Sequence, residues 1–423
     1  MRIGYVIQNG APDFSTISGP QLHTVAVIDG LRRLGHDVRT LANQSYRLGW
    51  TDDLTTWQTP TYGFTRSAAF RWSESLLRRL QTELRLPFVG VFDSVRFADA
   101  CAHDLRGADI LYERHGYMGY GGLVAARRMG VPHVLELNGN ILREIDEMGV
   151  TMSSAQRALG RYVTIETLRR TDHLVVVSDA LKNQIVTTLG LAPERVSVVL
   201  NGADVRLFQQ PYDVAAVRAS LGVAAAPLLV FVGSFQPWHG VDLLVDAFAD
   251  VRRRVPQATL VLIGDGEGRA AAEERIRALA LSDAVHLLGR QRQARIAEVL
   301  AAADVLVAPY PLPHGDIVGT PLKLMEYMAA GRAIVASTAP IHEIVEHEVT
   351  GLRVAPANAT ALAGAIVRLL GDADLRATLG ARARAAARDF SWDHVVERLA
   401  GILEVSRRGR VRRRAVVGAW RLT

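Results

Sequence analysis

The sequence predicts an α/β protein with two doubly wound parallel sheets, one in each of two domains. Short apolar runs alternate with longer amphipathic segments along almost the whole chain, which is typical of parallel sheets with helices on both faces. The length of 423 residues exceeds what one core usually holds. The alternation breaks across residues 206–225, which contain Pro211 and Gly222. We therefore place the join between the domains there.

The predicted strands are short apolar runs between helical patterns. In the first half they cover 3–7, 38–41, 110–112, 131–137, 174–177 and 196–200. In the second half they cover 228–232, 259–263, 285–288, 305–308, 333–336 and 352–354. Ligands of open parallel sheets bind beyond the carboxyl ends of the strands, so two facing sheets predict a cleft between the domains. A last helix is expected from Trp392 to about Val405, with Ser391 as its N-cap.

Composition restricts the class of protein. An apolar content of 49% and a charged content of 22% are ordinary for a soluble globular chain. Cys101 is the only cysteine, which excludes an internal disulfide and favours a reducing compartment. The chain opens with a strand-like run and has no apolar stretch of membrane-spanning length. We expect a cytoplasmic protein.

The excess positive charge lies at the C-terminal end. Residues 405–423 contain seven arginines and no acid, so they contribute +7 and the rest of the chain −1 to the net charge of +6. The cluster from Arg407 to Arg414 suits an anionic membrane surface at the inner face of the membrane, and a solvated end is the other interpretation. Nucleic acid is not expected, because no recognition motif accompanies the arginines.

Residues 64–86 look like an insertion in the first domain. Leu76, Leu77, Leu80 and Leu84 form an apolar stripe with arginines beside it. A packed surface helix and a helix that faces an acceptor or a membrane are both compatible with this pattern.

Lysine is rare in this chain, and one of its lysines lies in a motif-like segment. Of the 49 Lys and Arg residues, only Lys182 and Lys323 are lysines. Lys323 lies within GTPLKLMEYMAAG at 319–331. A compact ammonium on a slim stem suits a phosphate group.

The same segment predicts a short helix with an anion site at its amino end. Thr320 suits the N-cap, Pro321 the first helical position and Gly331 the C-terminal stop. The free amides of Leu322 and Lys323 would then head the helix. Glu326 lies one turn further on and suits the hydroxyls of a ribose. A capped helix with a Lys323–Glu326 salt bridge explains the residues equally well.

Segment 319–331, with 334–337, closely resembles the signature of the retaining glycosyltransferases of family 4, which have the GT-B fold of two Rossmann-like domains. The resemblance covers nearly the whole chain, and the order and spacing of its motifs make it specific. The other matching motifs are 19–23, 201–204, 231–235, 239–241, 263–266, 289–290, 304–309, 350–352 and 390–392.

The resemblance implies a domain layout. Residues 1–205 would form the acceptor-binding domain and 206–388 the nucleotide-sugar donor domain. Residues 389–405 would form a helix that crosses back to the first domain, and 406–423 a basic tail.

It also implies a retaining transfer from a nucleotide diphosphate sugar without a metal or other cofactor. UDP is the commonest base in the family, with GDP second. Acceptors include lipids, growing polysaccharides and small metabolites, and the basic tail favours a lipid-linked or cell-envelope glycan.

The resemblance also implies roles for single residues, which are assigned by their positions in the motifs. Glu326 would bind the ribose, and the backbone around Pro321, Leu322 and Lys323 would hold the diphosphate. The remaining donor-binding candidates are Gly19, Gly233, Ser234, His239, Gly264, Arg290 and Thr320. Gly19, in a loop after the first strand, would let the backbone approach the donor phosphate from the first domain. Arg290 would contact the base.

The chain also departs from the family pattern. Val318 replaces a frequent glutamate, Ser234 an arginine and His239 a lysine. Two cations that usually bind the diphosphate are therefore missing, and we expect Lys323 to supply the charge, with help from His239 when it is protonated. Asn138 stands where the family has a histidine near the reacting sugar. It can donate a hydrogen bond but cannot act as a base near neutral pH.

Lys323, Asn138 and His115, which follows a predicted strand, are our candidates for the catalytic centre. No cluster with metal-ligand spacing is apparent. Three other functions remain open. The run 264–269 follows a strand as a nicotinamide-binding loop would, although Arg269 stands where that fingerprint needs a small residue. A sugar-nucleotide epimerase and a non-catalytic sugar-nucleotide-binding protein are the others.

Overall fold

The protein forms two compact units, residues 1–200 with 396–423, and residues 201–395. The computed structural model describes residues 1–14, 18–44, 47–83, 91–139, 153–311, 320–337 and 344–419, with the backbone alone at 44, 91 and 410–419. Each unit contains one sheet of the expected doubly wound type. The boundary at 200/201 lies close to the expected 205/206.

The first unit contains a seven-stranded sheet of order β3-β2-β1-β4-β5-β6-β7. All neighbours pair in parallel except β2 and β3. Its strands are β1 (Arg2–Ile7), β2 (Asp37–Gln44), β3 (Arg47–Thr51), β4 (Ile110–Arg114), β5 (His133–Leu137), β6 (His173–Val176) and β7 (Val196–Val198). The antiparallel β3 was not predicted, because its residues RLGWT carry only two large apolar side chains.

The helices of the first unit surround this sheet. They are α1 (Gly19–Arg33), α2 (Ala68–Glu83), α3 (Val91–Asp104), α4 (Gly121–Met129), α5 (Ser154–Arg170) and α6 (Asp179–Leu189). Val6, Leu41, Phe97, Cys101 and Leu111 are among the buried residues of one core cluster.

The second unit repeats the same winding in a six-stranded, all-parallel sheet of order β10-β9-β8-β11-β12-β13. Its strands are β8 (Leu228–Val232), β9 (Thr259–Ile263), β10 (Val285–Gly289), β11 (Val305–Pro309), β12 (Ala333–Ser337) and β13 (Leu352–Val354). Four of these, β8, β9, β11 and β12, are buried along their whole length, as near-continuous apolar runs covered on both faces should be.

The helices of the second unit are α7 (Val205–Gln209), α8 (Val214–Ser220), α9 (Val241–Arg254), α10 (Arg269–Ala278), α11 (Gln293–Ala302), α12 (Leu322–Ala330), α13 (Ala359–Gly371) and α14 (Ala373–Ala386). In both sheets the winding reverses next to the first strand, between β1 and β4 and between β8 and β11. Ligands of such sheets bind beyond the carboxyl ends of the strands at this reversal.

The last helix, α15 (Trp392–Ala419), runs past the expected end at Val405. Its residues up to 395 belong to the second unit and those from 396 to the first. Val396, Leu399 and Leu403 are buried, and a Cβ added at Gly30 of α1 would lie 2.7 Å from the Val396 side chain. Among the described residues, no helix is both long and apolar enough to cross a bilayer.

Candidate functional site

The amino end of α12 lies beside the reversal point of the second sheet. β8 and β11 pair directly, Gly233 follows β8 and Tyr310 follows β11. Gly331 ends α12 in the left-handed conformation, as predicted. The site therefore combines the carboxyl ends of two adjacent strands with a helix start.

The helix starts one residue later than predicted. Pro321 occupies the N-cap position with extended backbone, and Leu322 is the first helical residue. Thr320 does not cap the helix, so that expectation was wrong. Its carbonyl oxygen instead accepts a hydrogen bond of 2.5 Å from the Asn201 side chain. The first intrahelical bond runs from the amide of Leu324 to Pro321, which leaves the amides of Leu322 and Lys323 without an intrahelical acceptor.

Lys323 carries a buried ammonium with no hydrogen-bond acceptor among the described residues. Its side chain is only 7% exposed. Nζ lies 4.3 Å from the centre of the Phe231 ring and 5.3 Å from that of Tyr310. These cation–π contacts replace only part of the lost hydration. Burial lowers the pKa of Lys323 to about 7, although Glu326 opposes the shift.

Gly233 brings its backbone directly against this ammonium. A Cβ at Gly233 would lie 2.4 Å from Nζ of Lys323, and the residue has φ +156, which favours glycine. A Cβ at Gly264 would lie 1.8 Å from the carbonyl oxygen of Gly233. The two glycines therefore allow the loops after β8 and β9 to approach each other and the lysine.

Glu326 lies one turn further along α12 and is 8% exposed. Its Oε1 accepts a hydrogen bond of 3.0 Å from Nε2 of Gln293, the first residue of α11. Burial raises the pKa of Glu326, while Gln293 and Lys323 act against the shift. The alternative of a Lys323–Glu326 salt bridge is not supported, because no carboxylate among the described residues pairs with Nζ. Sequence reasoning missed Gln293.

His239 does not add positive charge to this site. Its Nδ1 lies 2.6 Å from the carbonyl oxygen of Ser234 and 3.0 Å from the Ser234 hydroxyl. Burial and the neighbouring Lys323 lower its pKa to about 3, so the imidazole is neutral near pH 7. The expectation that a protonated His239 helps Lys323 does not hold for this arrangement.

Arg290 and Gly19 are the remaining donor-binding candidates. Arg290 is exposed and follows β10, at the same edge of the sheet as Gly233 and Gly264. Gly19 belongs to the first unit and is the first residue of α1, not part of a loop as expected. Their roles stay predictions. Val318 and Gly319 lie outside the described residues.

One candidate of the first unit, Asn138, lies at a buried carboxylate. Glu136 of β5 is 1% exposed, and its carboxylate accepts hydrogen bonds from Asn138 and Tyr112. It also pairs with His23 at 2.7 Å and Arg114 at 3.3 Å. Burial raises the pKa of Glu136, but these partners outweigh it and hold the value at about 2.

His115 lies beside the same strand. Its amide donates to the carbonyl oxygen of Glu136, while neither ring nitrogen has a partner among the described residues. Burial, together with His133, lowers its pKa to about 4, so the ring is neutral near pH 7. Glu136 was missed by sequence reasoning, because a lone glutamate inside an apolar run carries no motif.

Metal-ligand groups do not cluster in the part of the chain that the structure describes, where no three His, Cys, Asp or Glu side chains converge. At the loop considered for nicotinamide binding, Arg269 starts α10 and pairs with Glu273 at 2.8 Å.

Two family descriptions match most of the chain. "Glycosyl transferase 4-like domain" matches residues 18–202, and "Glycosyl transferases group 1" matches residues 226–372. The sequence is 31% identical over 338 residues to a D-inositol 3-phosphate glycosyltransferase of Kineococcus radiotolerans, covering 75% of each chain. It is 29% identical to the enzyme of the same name from Jonesia denitrificans, over 71% of this chain and 72% of that one.

Solved structures share the fold. Anabaena Alr3699/HepE in complex with UDP superposes with a TM-score of 0.70 at 21% identity, over 96% of this chain and 100% of that one. A sucrose-phosphate synthase of Thermosynechococcus elongatus gives a TM-score of 0.70 at 20% identity, over 96% and 98%. The two parallel-sheet units are those of the GT-B fold.

Proposed function

The chain belongs to the group 1 glycosyl transferases of family 4, and from this membership we propose a retaining, metal-independent transfer of a sugar from a nucleotide diphosphate sugar to an acceptor hydroxyl. The donor is a UDP-sugar first and a GDP-sugar second. The acceptor belongs to a lipid-linked or cell-envelope glycan. The observation that carries the proposal is the buried ammonium of Lys323 at the amino end of α12.

The diphosphate is the part of the donor that this site fits best. The ammonium is buried, it lacks a hydrogen-bond acceptor among the described residues, and it lies against the backbone of Gly233. The free amides of Leu322 and Lys323 add the positive end of the helix dipole. A phosphate oxygen here would gain a charged hydrogen bond, and the lysine would regain the partner that burial removed.

The ribose of the nucleoside fits the neighbouring carboxylate of Glu326. Glu326 is held by Gln293, so its second oxygen is oriented for the two hydroxyls of a ribose. Structures of the Anabaena relative contain UDP and UDP-glucose, which supports UDP as the first choice. The curated relatives are named for D-inositol 3-phosphate, so a small phosphorylated acceptor is the main alternative to a glycan.

The proposed chemistry depends on the atoms that gain negative charge during the transfer. As the bond from the sugar to the diphosphate breaks, negative charge grows on the leaving group, and Lys323 with the helix amides stabilises it. In a front-face transfer, an oxygen of the leaving phosphate accepts the proton of the acceptor hydroxyl, so no protein base is needed. Asn138 would hydrogen-bond to the reacting sugar, and the neutral His115 would line the acceptor side.

Calorimetric titration of UDP tests the proposal. Lys323→Ala should weaken UDP binding by several-fold to a few hundred-fold, about 1–3 kcal/mol for a charged hydrogen bond. Lys182→Ala is the matched control, since Lys182 is the chain's other lysine and lies on α6 of the first unit. A loss smaller than about twofold in Lys323→Ala would contradict the assigned site.

Location is a separate part of the proposal. We place the enzyme in the cytoplasm, with the basic tail from Arg407 to Arg414 at the inner face of the membrane. Deletion of residues 406–423 should reduce the binding of the chain to anionic vesicles, and unchanged binding would remove the tail from this role.

Mass spectrometry of the donor without acceptor would separate transfer from epimerisation, because only an epimerase produces an isomerised sugar nucleotide.

A further inference from the structure

Helix α2 carries its apolar side chains on the outside. Of the nine large hydrophobic side chains that are exposed in the described residues, four lie on this one helix. They form what we call the apolar stripe, which consists of Trp72 (69% exposed), Leu76 (42%), Leu77 (47%) and Leu80 (39%). Leu84, which the sequence pattern also placed in this stripe, lies outside the described residues. Their spacing places them on one side of the helix.

The only buried residue of α2 is a glutamate. Glu74 is 9% exposed and accepts hydrogen bonds from Arg78 of the same helix and from Arg96 of α3. Aromatic rings complete this attachment, because the ring of Phe70 lies 5.9 Å from that of Phe92. The helix is therefore held to its unit by ion pairs and aromatic contacts, and the stripe is left for another surface.

Arginines lie along one edge of the stripe. Arg66, Arg71 and Arg79 are exposed. Arg71 and Arg79 form no ion pair with any described residue, and with Arg78 and Arg96 they line an open recess of about 620 Å³ beside the stripe. Glu74 and Glu83 also line this recess, and Glu74 is already engaged by two of the arginines.

We propose that α2 docks the protein on an anionic lipid bilayer, with the apolar stripe at the boundary of headgroups and acyl chains and the arginines on the headgroup phosphates. An amphipathic helix with leucine and tryptophan on one face and arginines beside them is suited to this position. Tryptophan is favoured at the membrane interface because its ring is amphipathic.

A second copy of the chain fits this surface less well. The exposed part of the stripe amounts to roughly 400 Å², about half of the ~800 Å² per partner that a standard stable interface buries. Two facing copies would also bring the exposed arginines of both together, whereas anionic headgroups complement them.

Sedimentation of the full-length chain with vesicles tests the proposal. The protein should bind vesicles of phosphatidylcholine and phosphatidylglycerol more strongly than vesicles of phosphatidylcholine alone. The double variant Leu76→Ser/Leu80→Ser should bind the mixed vesicles about tenfold more weakly. Tyr162→Ser is the control, because Tyr162 is a large side chain on α5 of the same unit and is more exposed than either leucine. The thermal unfolding of all variants should stay close to that of the wild type, since none of the stripe residues belongs to the buried core.

Further variants separate the contribution of the stripe from that of the basic tail. Arg71→Gln/Arg79→Gln should weaken the preference for anionic vesicles, and in the chain that lacks residues 406–423 it should remove this preference. The deletion of 406–423 should retain the binding that the stripe provides. In the chain that lacks residues 406–423, and with them Trp420, Trp72→Phe should reduce the blue shift of tryptophan fluorescence that mixed vesicles induce. UDP binding should stay unchanged in every stripe variant, so failure here is distinguishable from failure of the proposed function.

Three outcomes would overturn the proposal. One is an absence of vesicle binding by the wild type. Another is wild-type binding by the Leu76→Ser/Leu80→Ser variant. The third is a lower oligomeric state of that variant in light scattering without vesicles, which would identify the stripe as an interface between copies of the chain.

Discussion

Lys323 in the second unit and Glu136 in the first are both buried charges near the carboxyl end of a parallel sheet, and their surroundings are opposite. Glu136 interacts with four partners, His23, Arg114, Tyr112 and Asn138. Among the described residues, the ammonium of Lys323 contacts the faces of two aromatic rings and has no hydrogen-bond acceptor. A buried charge is expensive unless it is paired. We infer from this difference that Glu136 stabilises its unit, and we propose that Lys323 binds a ligand.

The largest expected effect is the loss of stability when the paired carboxylate of Glu136 is removed. Glu136→Ala leaves His23 and Arg114 without their carboxylate, so the free energy of unfolding of the first unit should fall by about 3–5 kcal/mol. Urea denaturation followed by circular dichroism measures this. Replacement by Ala of the partly exposed Glu166, which pairs with Arg170 at the surface of α5, is the control and should change the value by less than about 0.5 kcal/mol. A loss of similar size in both variants would remove the distinction between the two regions.

Removal of the ammonium of Lys323 should change stability in the opposite direction. Lys323→Met removes an ammonium that burial destabilises and keeps a side chain of similar length. Without nucleotide, the second unit should therefore be more stable by roughly 1–3 kcal/mol at pH 7. The stabilisation by UDP should be lost in the same variant. A destabilised Lys323→Met in the absence of nucleotide would show that the lysine is part of the core packing and not of a ligand site.

Glu136 and Lys323 should also make stability depend on pH in different ranges, one acidic and one alkaline. The pKa of Glu136 is lowered from 4.5 to about 2, so its contribution to stability is present above 4.5 and is lost as pH falls towards 2. The pKa of Lys323 is lowered from 10.5 to about 7, so between pH 7 and 10.5 the unfolded chain binds the additional proton. The stability of the ligand-free second unit should therefore rise with pH in that window. Lys323→Met should lack this rise, and a rise of equal size in both proteins would assign it to another group.

The smallest expected effect concerns the support of the ribose carboxylate. Gln293→Ala removes the hydrogen bond to Glu326 and should weaken UDP binding by about 0.5–1.5 kcal/mol. Binding of inorganic pyrophosphate, which has no ribose, should not change. Equal losses for both ligands would mean that Gln293 shapes the helix start and does not orient Glu326.

Much of the fold could be predicted from the sequence, because the strands are apolar runs whose spacing is regular. Every predicted strand has an observed counterpart, and the predicted GT-B fold is confirmed. β3 was missed because its alternating residues give no buried run. The start of α12 was misplaced by one residue, since Thr320 offers its carbonyl to Asn201 instead of capping the helix.

The site could be predicted only in part. Lys323 and Glu326 were predicted from motif and helix periodicity, and the structure places both on α12. The neutral state of His239 and the partners of Glu136 depend on burial and on contacts between distant segments, which no local pattern encodes.

Lysine-selective NMR tests the central claim most directly, because the chain contains only two lysines. With ¹³Cε and ¹⁵Nζ labels, Lys182→Arg assigns the two signals. In the free protein the Lys323 signal should titrate with a pKa of about 7, and UDP should raise this pKa towards 10.5 while the Lys182 signal stays unchanged. A Lys323 signal that already titrates at the ordinary value, or one that saturating UDP does not move, would contradict the account.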